Sequence, residues 1–438
     1  MKIYIETLGC PKNENDSQMA AAYLEEAGHQ VINAPKDADF IMVNTCGFIN
    51  DAKKESIDKI FEMADMKKRE GKLIVSGCLS QRYGDELYKE MPEVACFIGV
   101  DQYEKLPEII DELSHNQERI LKNGRTQLEY LEKTVRKLDE NPYTATLKIA
   151  EGCDNFCTYC IIPKIRGPYR SKKMEDIIEE AEELAKAGCK ELILIAQDLT
   201  YYGKDIYGEY KLAELLSKLC LVEGIQWIRL MYCYEDKITD QLIEVMAKEE
   251  KICKYIDIPL QHASDKVLKR MNRKSTKASI KEVISKLKTA MPDIHIRTTM
   301  IVGFPQEDEA DFLQLLDFVE EEKFARLGVF PYSQEEDTPA AIMDGQIDEE
   351  IKEHRVDAIM RRQMDISREL NENKIGNIYE VIIDRQEEEG VYVGRTRYDA
   401  PEIDNEVVFK TKGNHEPGEI VYVKITDGFD YDLIGEEV

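Results

Sequence analysis

Glu151-Gly-Cys-Asp-Asn-Phe-Cys-Thr-Tyr-Cys-Ile-Ile162 places three cysteines in one short loop. Cys153, Cys157 and Cys160 are spaced C-x3-C-x2-C, so one tight turn of chain points three thiolates at a common centre. A structural zinc or an inert iron–sulfur cluster normally takes four protein ligands, whereas a [4Fe–4S] cluster held by three keeps one iron open for another molecule. A zinc loop completed by a fourth ligand elsewhere is the rival reading of the spacing by itself.

Around this loop the chain reads as a βα series. Strand patterns are expected at Thr146–Ala150, Leu192–Ala196, Trp227–Met231, Tyr255–Ile258, Ile296–Val302 and Arg326–Phe330, with helical patterns between them such as Met174–Ala187. Six units are too few for a closed eight-stranded barrel and suit a partial one, with chemistry on the loops after the strands. The cysteine loop follows the first of these strands. Polar residues recur at the others: Gln197 and Asp198, Gln261 and His262, Arg297 and Thr298 within the fifth strand, Tyr332 and Ser333. His262 reads more readily as a satisfied histidine near a core than as a catalyst. Lys164, Arg166, Arg170, Lys172 and Lys173 form a basic run just after the loop, either a solvated face or an anion contact.

The first hundred residues alternate short β-branched runs with helical patterns, as an α/β layer does. Strands are expected at Ile3–Leu8, near Val31-Ile32, at Phe40–Thr45 and at Leu73–Ser76, with an amphipathic helix over about 52–69. Asp16 or Ser17 is expected to cap a helix that runs to Ala27 and stops at Gly28. Cys10, Cys46 and Cys78 each come directly after a strand and beside a glycine. In an open parallel sheet, ligand sites gather at the carboxyl ends of strands, so cysteines 36 and 32 residues apart still meet at one edge. They read as a second three-cysteine [4Fe–4S] site; three inert buried thiols is the alternative.

A charged, helical connection is expected from about Asp101 to Asn141. Asp348 to about Lys374 reads as one long amphipathic helix, with Ile351, Val356, Ile359, Met360, Met364, Ile366 and Leu370 available for an apolar stripe. Beyond Gly376 the period changes to two, and five short strands with turn signals between them suggest a small barrel. At 438 residues the chain exceeds one ordinary core, and 43% apolar residues suffice to bury several. With no run of about 18 apolar residues and no apolar leader at the N-terminus, a soluble, cytoplasmic protein is expected. Eleven cysteines, unevenly spread, favour metal or catalytic use over a disulfide framework. A net charge of −28 argues against broad binding to phosphate backbones and favours a basic partner. From Asn373 to Val438 seven Lys and Arg stand against sixteen Asp and Glu, so the last module is acidic too.

Thr7-Leu-Gly-Cys-Pro-Lys-Asn13 with Asp16-Ser17, Val43-Asn-Thr-Cys-Gly-Phe-Ile49, Gly77-Cys-Leu-Ser-Gln-Arg82, Glu151-Gly-Cys to Cys160-Ile-Ile-Pro163, Arg166-Gly167 and Ile301-Val-Gly-Phe-Pro305 together resemble the methylthiotransferases among the radical S-adenosylmethionine (SAM) enzymes. The resemblance covers essentially the whole chain. It implies an α/β fold in three parts: an N-terminal parallel-sheet iron–sulfur domain over 1–140, a radical SAM partial (βα)6 barrel with a linker helix over 141–372, and a five-stranded TRAM β-barrel over 373–438. Cys10-Pro-Lys-Asn13, Cys46-Gly-Phe-Ile49 and the segment Val393-Gly-Arg-Thr396 to Asp399-Ala-Pro-Glu-Ile-Asp404 resemble the RimO branch. Its members methylthiolate the β-carbon of one aspartate in the twelfth protein of the small ribosomal subunit; the best-known other branch modifies adenosine in transfer RNA. The chain departs from the usual pattern at Gln306-Glu307-Asp308, commonly Gly-Glu-Thr, and at Glu336-Asp337-Thr338, where Glu-Gly-Thr is usual.

The resemblance implies two [4Fe–4S] clusters, one on Cys153, Cys157 and Cys160 with SAM on its open iron, the other on Cys10, Cys46 and Cys78. It implies SAM contacts among Tyr159, Gln197, Asp198, Gln261, Arg297 and Tyr332: Arg297 for the carboxylate, Gln197 and Asp198 for the amino group and ribose hydroxyls, Tyr159 for adenine. The chemistry is apt, because an aspartate β-carbon has an unactivated C–H bond that no side-chain base deprotonates at neutral pH. An external one-electron donor of flavodoxin or ferredoxin type is implied, and a basic ribosomal protein or assembled small subunit as substrate, with no membrane and no sequence-specific DNA. A transfer-RNA methylthiotransferase, a two-cluster electron carrier and a zinc-binding adaptor are the alternatives.

Overall fold

The computed structural model of the chain describes residues 1–116, 118–124, 136–138 and 142–438. Its first layer is a six-stranded parallel sheet of β1 (Lys2–Thr7), β2 (Gln30–Val31), β3 (Phe40–Thr45), β4 (Lys72–Gly77), β5 (Cys96–Ile98) and β6 (Ile120–Lys122), in the order β2-β1-β3-β4-β5-β6. Separate apolar clusters cover its two faces, so β3 is buried at all six positions. Helices α1 (Pro11–Glu26), α2 (Asn50–Met66) and α3 (Cys78–Glu90) follow β1, β3 and β4.

Three sequence expectations change here. Helix α1 starts at Pro11, with Cys10 as its N-cap, six residues ahead of the expected cap. Pro11 suits a first helical position because the missing N–H had no partner to lose, and Asp16 and Ser17 are buried inside the helix. The expected connection over 101–141 contributes a helix, Leu106–His115, and the edge strand β6; its residues 117, 125–135 and 139–141 lie outside the described ones. Strands β5 and β6, three residues each, are too short for any periodicity to announce them.

The second sheet, also parallel, is the partial barrel. It consists of β7 (Thr144–Lys148), β10 (Glu191–Ile195), β11 (Trp227–Leu230), β12 (Ile252–Asp257), β13 (His295–Val302) and β14 (Arg326–Pro331); a two-stranded ribbon, β8 (Ala150–Glu151) with β9 (Arg170–Ser171), brackets the cysteine loop. The long helix Glu349–Glu372 packs along β14, but five of its seven buried residues are polar. Ile351 is exposed, while Arg355 donates to Glu307 at 2.7 Å and Gln363 to the Phe324 carbonyl at 2.9 Å.

The last strands, β15 (Ile378–Glu388), β16 (Val391–Thr396), β17 (Val407–Lys410), β18 (Ile420–Gly428) and β19 (Leu433–Glu437), close into a barrel in the order β15-β16-β17-β19-β18. This module plugs the partial barrel at the N-terminal ends of its strands, opposite the cysteine loop. Arg395 pairs with Glu191 at 2.9 Å, Arg229 holds the same carboxylate at 2.7 Å, Arg326 pairs with Asp399, and the Tyr255 hydroxyl donates to Asp404 at 2.7 Å. Ile382 and Ala400 share one apolar cluster with Ile193, Trp227, Met231 and Tyr255 inside the partial barrel.

Candidate functional site

Because β1, β3 and β4 are neighbours in the sheet, Cys10, Cys46 and Cys78 emerge side by side at its carboxyl edge. Asn13 braces two of the turns, donating to the Leu8 carbonyl at 2.8 Å and the Thr45 carbonyl at 3.1 Å. Gly9 has φ +97, and a Cβ there would come within 2.9 Å of the Cys46 Cβ; the cradle needs its bare backbone. Burial pushes the Cys78 thiol up to about 11, and the charges of Cys10 and Cys46 add to the rise while Arg166 opposes it. A bare Cys78 thiol in this setting stays protonated, so metal loading has to displace its proton.

The second set is built alike. Gly152, at φ +83, lets the loop pass so close to the Pro168 carbonyl that a Cβ would meet it at 2.1 Å. Asn155 donates to the Cys153 sulfur at 3.3 Å, and the Tyr234 hydroxyl lies 3.7 Å from that of Cys157. Burial again pushes the Cys153 thiol up to about 11, with Asp198 and Cys157 adding to it. Among the described residues no three His, Cys, Asp or Glu side chains are grouped as ligands of one metal ion. Adjacent strand ends in one set and a C-x3-C-x2-C loop in the other nonetheless bring three thiols to each edge, an arrangement that fits a multi-iron group bound at separate corners.

The six expected SAM contacts separate in space. Tyr159 packs against a cluster containing Phe304 and Tyr332, an apolar wall beside Cys157 and Cys160, and the Tyr332 hydroxyl is buried there without a partner among the described residues. Gln261 sits at φ +72 beside this wall, bridged to Met300 of β13. Gln197 donates to Glu151 at 2.6 Å and keeps a buried, unpartnered Oε1. Asp198 is tied to Asn155 at 2.7 Å and Lys237 at 3.0 Å, so it braces the cysteine loop. Arg297 pairs with Asp257 at 2.9 Å and faces Asp404 of the plug at 3.4 Å. It already has two carboxylates, which leaves it ill suited to a third. Gln306 and Asp337, at the two departures from the family pattern, hold φ of +64 and +63: the glycine conformation survives where glycine is gone.

Sequence reasoning missed the link between the two cysteine sets. Arg166, 3% exposed, donates to Asp16 at 2.6 Å, to the Asn13 Oδ1 at 2.7 Å and to the Cys78 sulfur at 3.3 Å. Lys148 joins Asp16 at 2.6 Å and Glu151 at 3.0 Å. Although burial pushes the Glu151 carboxyl up, Lys148 and Arg166 hold it down at about 2. The basic run is therefore not one solvated face: Arg166 and Lys172 are buried, Lys172 against Glu180. Arg166→Met is expected to cost about 3 kcal/mol of unfolding free energy in denaturant titration, the range for breaking a buried ion network. Arg166→Lys should not restore it, since one ammonium cannot reproduce the guanidinium fork. A loss below about 1 kcal/mol would place the network among surface-like pairs.

Between the first sheet, the partial barrel and the plug lies a cavity of about 420 Å³, lined by Gly9, Glu14, Thr146, Ile195, Tyr232 and Ala400 among others. Lys12, 8% exposed, reaches the same junction with its ammonium 3.3 Å from the centre of the Tyr232 ring.

Residues 2–99 match the family described as Uncharacterized protein family UPF0004, residues 147–319 the Radical SAM superfamily and residues 375–438 the TRAM domain. The chain is 50% identical over 438 residues to "Ribosomal protein uS12 methylthiotransferase RimO" of Clostridioides difficile (strain 630), covering 100% of this chain and 98% of that one. It is 50% identical to the protein of the same name from Clostridium tetani (strain Massachusetts / E88), over 99% and 98% of the two chains. Among solved structures, the radical SAM methyltransferase TsrM from Kitasatospora setae superposes with a TM-score of 0.58 at 13% identity, over 78% of this chain and 75% of that one. The cobalamin-dependent radical enzyme OxsB superposes with a TM-score of 0.51 at 12% identity, over 82% and 56%. At such identities these two speak for the fold alone.

Proposed function

This chain belongs to the RimO family of radical SAM methylthiotransferases, and on that premise we propose how its own residues divide the modification of ribosomal protein uS12. A [4Fe–4S] cluster and SAM come with the family; when bound, they supply the 5′-deoxyadenosyl radical that takes hydrogen from an unactivated carbon. Cys153, Cys157 and Cys160 hold that cluster, and the wall of Tyr159, Phe304 and Tyr332 takes the adenine. The unpartnered Oε1 of Gln197 is a buried acceptor suited to the SAM amino group, whereas Asp198 and Arg297 are already held by Lys237 and Asp257.

Cys10, Cys46 and Cys78 would hold a second [4Fe–4S] cluster, which would supply the site for the sulfur to be inserted. The observation behind this reading is that three strand ends separated by 36 and 32 residues deliver three thiols to one glycine-cradled edge, joined to the first set through Arg166. An external one-electron donor of flavodoxin or ferredoxin type reduces the enzyme. Among the described residues no helix is long and apolar enough to cross a membrane.

Protein rather than RNA is the substrate on physical grounds as well. Of the seven basic residues after Asn373, Lys374 and Arg395 are buried, and Arg385 and Arg397 pair with Glu406 and Glu380, so the outer face of the plug is acidic. Such a face repels phosphates and steers a basic ribosomal protein toward the site. The reconstituted enzyme, offered uS12, assembled small subunits and unmodified transfer RNA, is expected to add one methylthio mass to the protein. A gain on the RNA alone would move the chain to the transfer-RNA branch.

A further inference from the structure

We propose that Lys12 receives the side-chain carboxylate of the substrate aspartate and thereby sets the carbon to be modified. The inference rests on the reading of uS12 as substrate. Lys12 stands at the first turn of α1, nine-tenths buried, and among the described residues its ammonium has neither a hydrogen-bond acceptor nor an ion-pair partner. The cations around it are all matched: Lys148 and Arg166 by Asp16 and Glu151, Lys237 by Asp198, Arg273 by Glu235, Arg297 by Asp257. What Lys12 has instead is the face of Tyr232. A ring face holds an ammonium in place for much less than a carboxylate would provide, and leaves its charge available.

Tyr232 is itself held at a cost. Its φ is +61, a rare conformation for a bulky residue, fixed by its N–H donating to Asp257 at 3.0 Å and its carbonyl accepting from the Leu199 N–H at 3.0 Å. Tyr232 also lines the 420 Å³ cavity beside Gly9 and Glu14, so the ring that seats the lysine also forms part of the wall of an open space where the first sheet, the partial barrel and the plug meet. An arriving carboxylate supplies the direct ion-pair partner that Lys12 lacks, and burial makes that match strong. In aspartate the carboxyl carbon is bonded directly to the β-carbon. Clamping the carboxylate therefore fixes the reacting carbon to within one bond, and a side chain without the negative charge is rejected.

The test is anaerobic titration calorimetry on the iron-loaded full chain with SAM and no reductant. The probe is a synthetic uS12 loop peptide with the target aspartate, or the same peptide with asparagine there. Wild type is expected to prefer the aspartate peptide by at least about tenfold. Lys12→Gln should bring that ratio near one, and Lys12→Arg should restore a preference. If Lys12→Gln does not load iron, Tyr232→Leu, which removes the seat, should lower the ratio in a loaded enzyme. A ratio unchanged by Lys12→Gln, or by Tyr232→Leu in that case, overturns the assignment, as does a variant that loses SAM binding with the ratio intact. Wild type that modifies uS12 with no preference between the peptides overturns the Lys12 assignment alone; wild type that leaves uS12 unmodified overturns the functional reading.

Discussion

Replacing Cys153, Cys157 or Cys160 by Ala is expected to abolish 5′-deoxyadenosine formation, while Cys10→Ala, Cys46→Ala and Cys78→Ala keep reductive SAM cleavage and lose the methylthio product. The difference follows from where each set sits. The first set shares its loop with Tyr159 and lies beside the apolar wall and Gln197, the groups suited to hold SAM. The second set lies on a different sheet and is linked to the first through Arg166 and its partners and through Cys78 packing on Ile161 and Ile165. Iron content should fall by roughly half in either class of variant, because each set is expected to hold one four-iron unit. Chromatography of the nucleoside products beside iron analysis decides it: a Cys153→Ala enzyme that still forms deoxyadenosine, or a Cys46→Ala enzyme that still completes the modification, removes the division of labour.

Ending the chain after Asn373 is expected to destroy the loaded enzyme, although the strand pattern alone suggests a detachable module. Glu191 and Arg229 are both fully buried, and Glu191 shares its carboxylate between Arg229 and Arg395. Truncation takes away Arg395, the Asp399 partner of Arg326 and the Asp404 acceptor of Tyr255, and it uncovers the apolar floor that Ile382 and Ala400 close. Buried charge left short of partners costs several kcal/mol per group, comparable to the whole stability of a domain. The point variant Arg395→Met isolates the effect. It should lose about 3–5 kcal/mol in denaturant titration, because Glu191 loses one of its two guanidinium partners and Asp384 loses its own. A truncated chain that stays soluble, binds iron normally and loses only uS12 modification would show the plug to be a docking surface and no more.

How much of this was legible in the sequence depended on whether the feature is local or made by docking. The six strands of the partial barrel, the three strand-end cysteine placements and the period-two tail were legible because burial imposes a repeat on neighbouring residues. The three-cysteine loop was legible because its spacing is itself the geometry. By themselves, then, the residues determined the α/β order, both thiol sets and the closing β-barrel. Charge pairing has no such repeat. Asp16, which the local pattern offers as a helix cap, pairs with Lys148 and Arg166, 132 and 150 positions away, only because α1 docks on the first barrel strand. Arg297 looks like a free cation at a strand until Asp257 and Asp404 meet it, and Arg395 looks like a surface residue until the plug seats it on Glu191. Only the tertiary structure decided which buried charges have ion-pair partners and that Lys12 has the face of Tyr232 instead, since each pairing is set by how the three modules pack and not by the residues beside it in the chain.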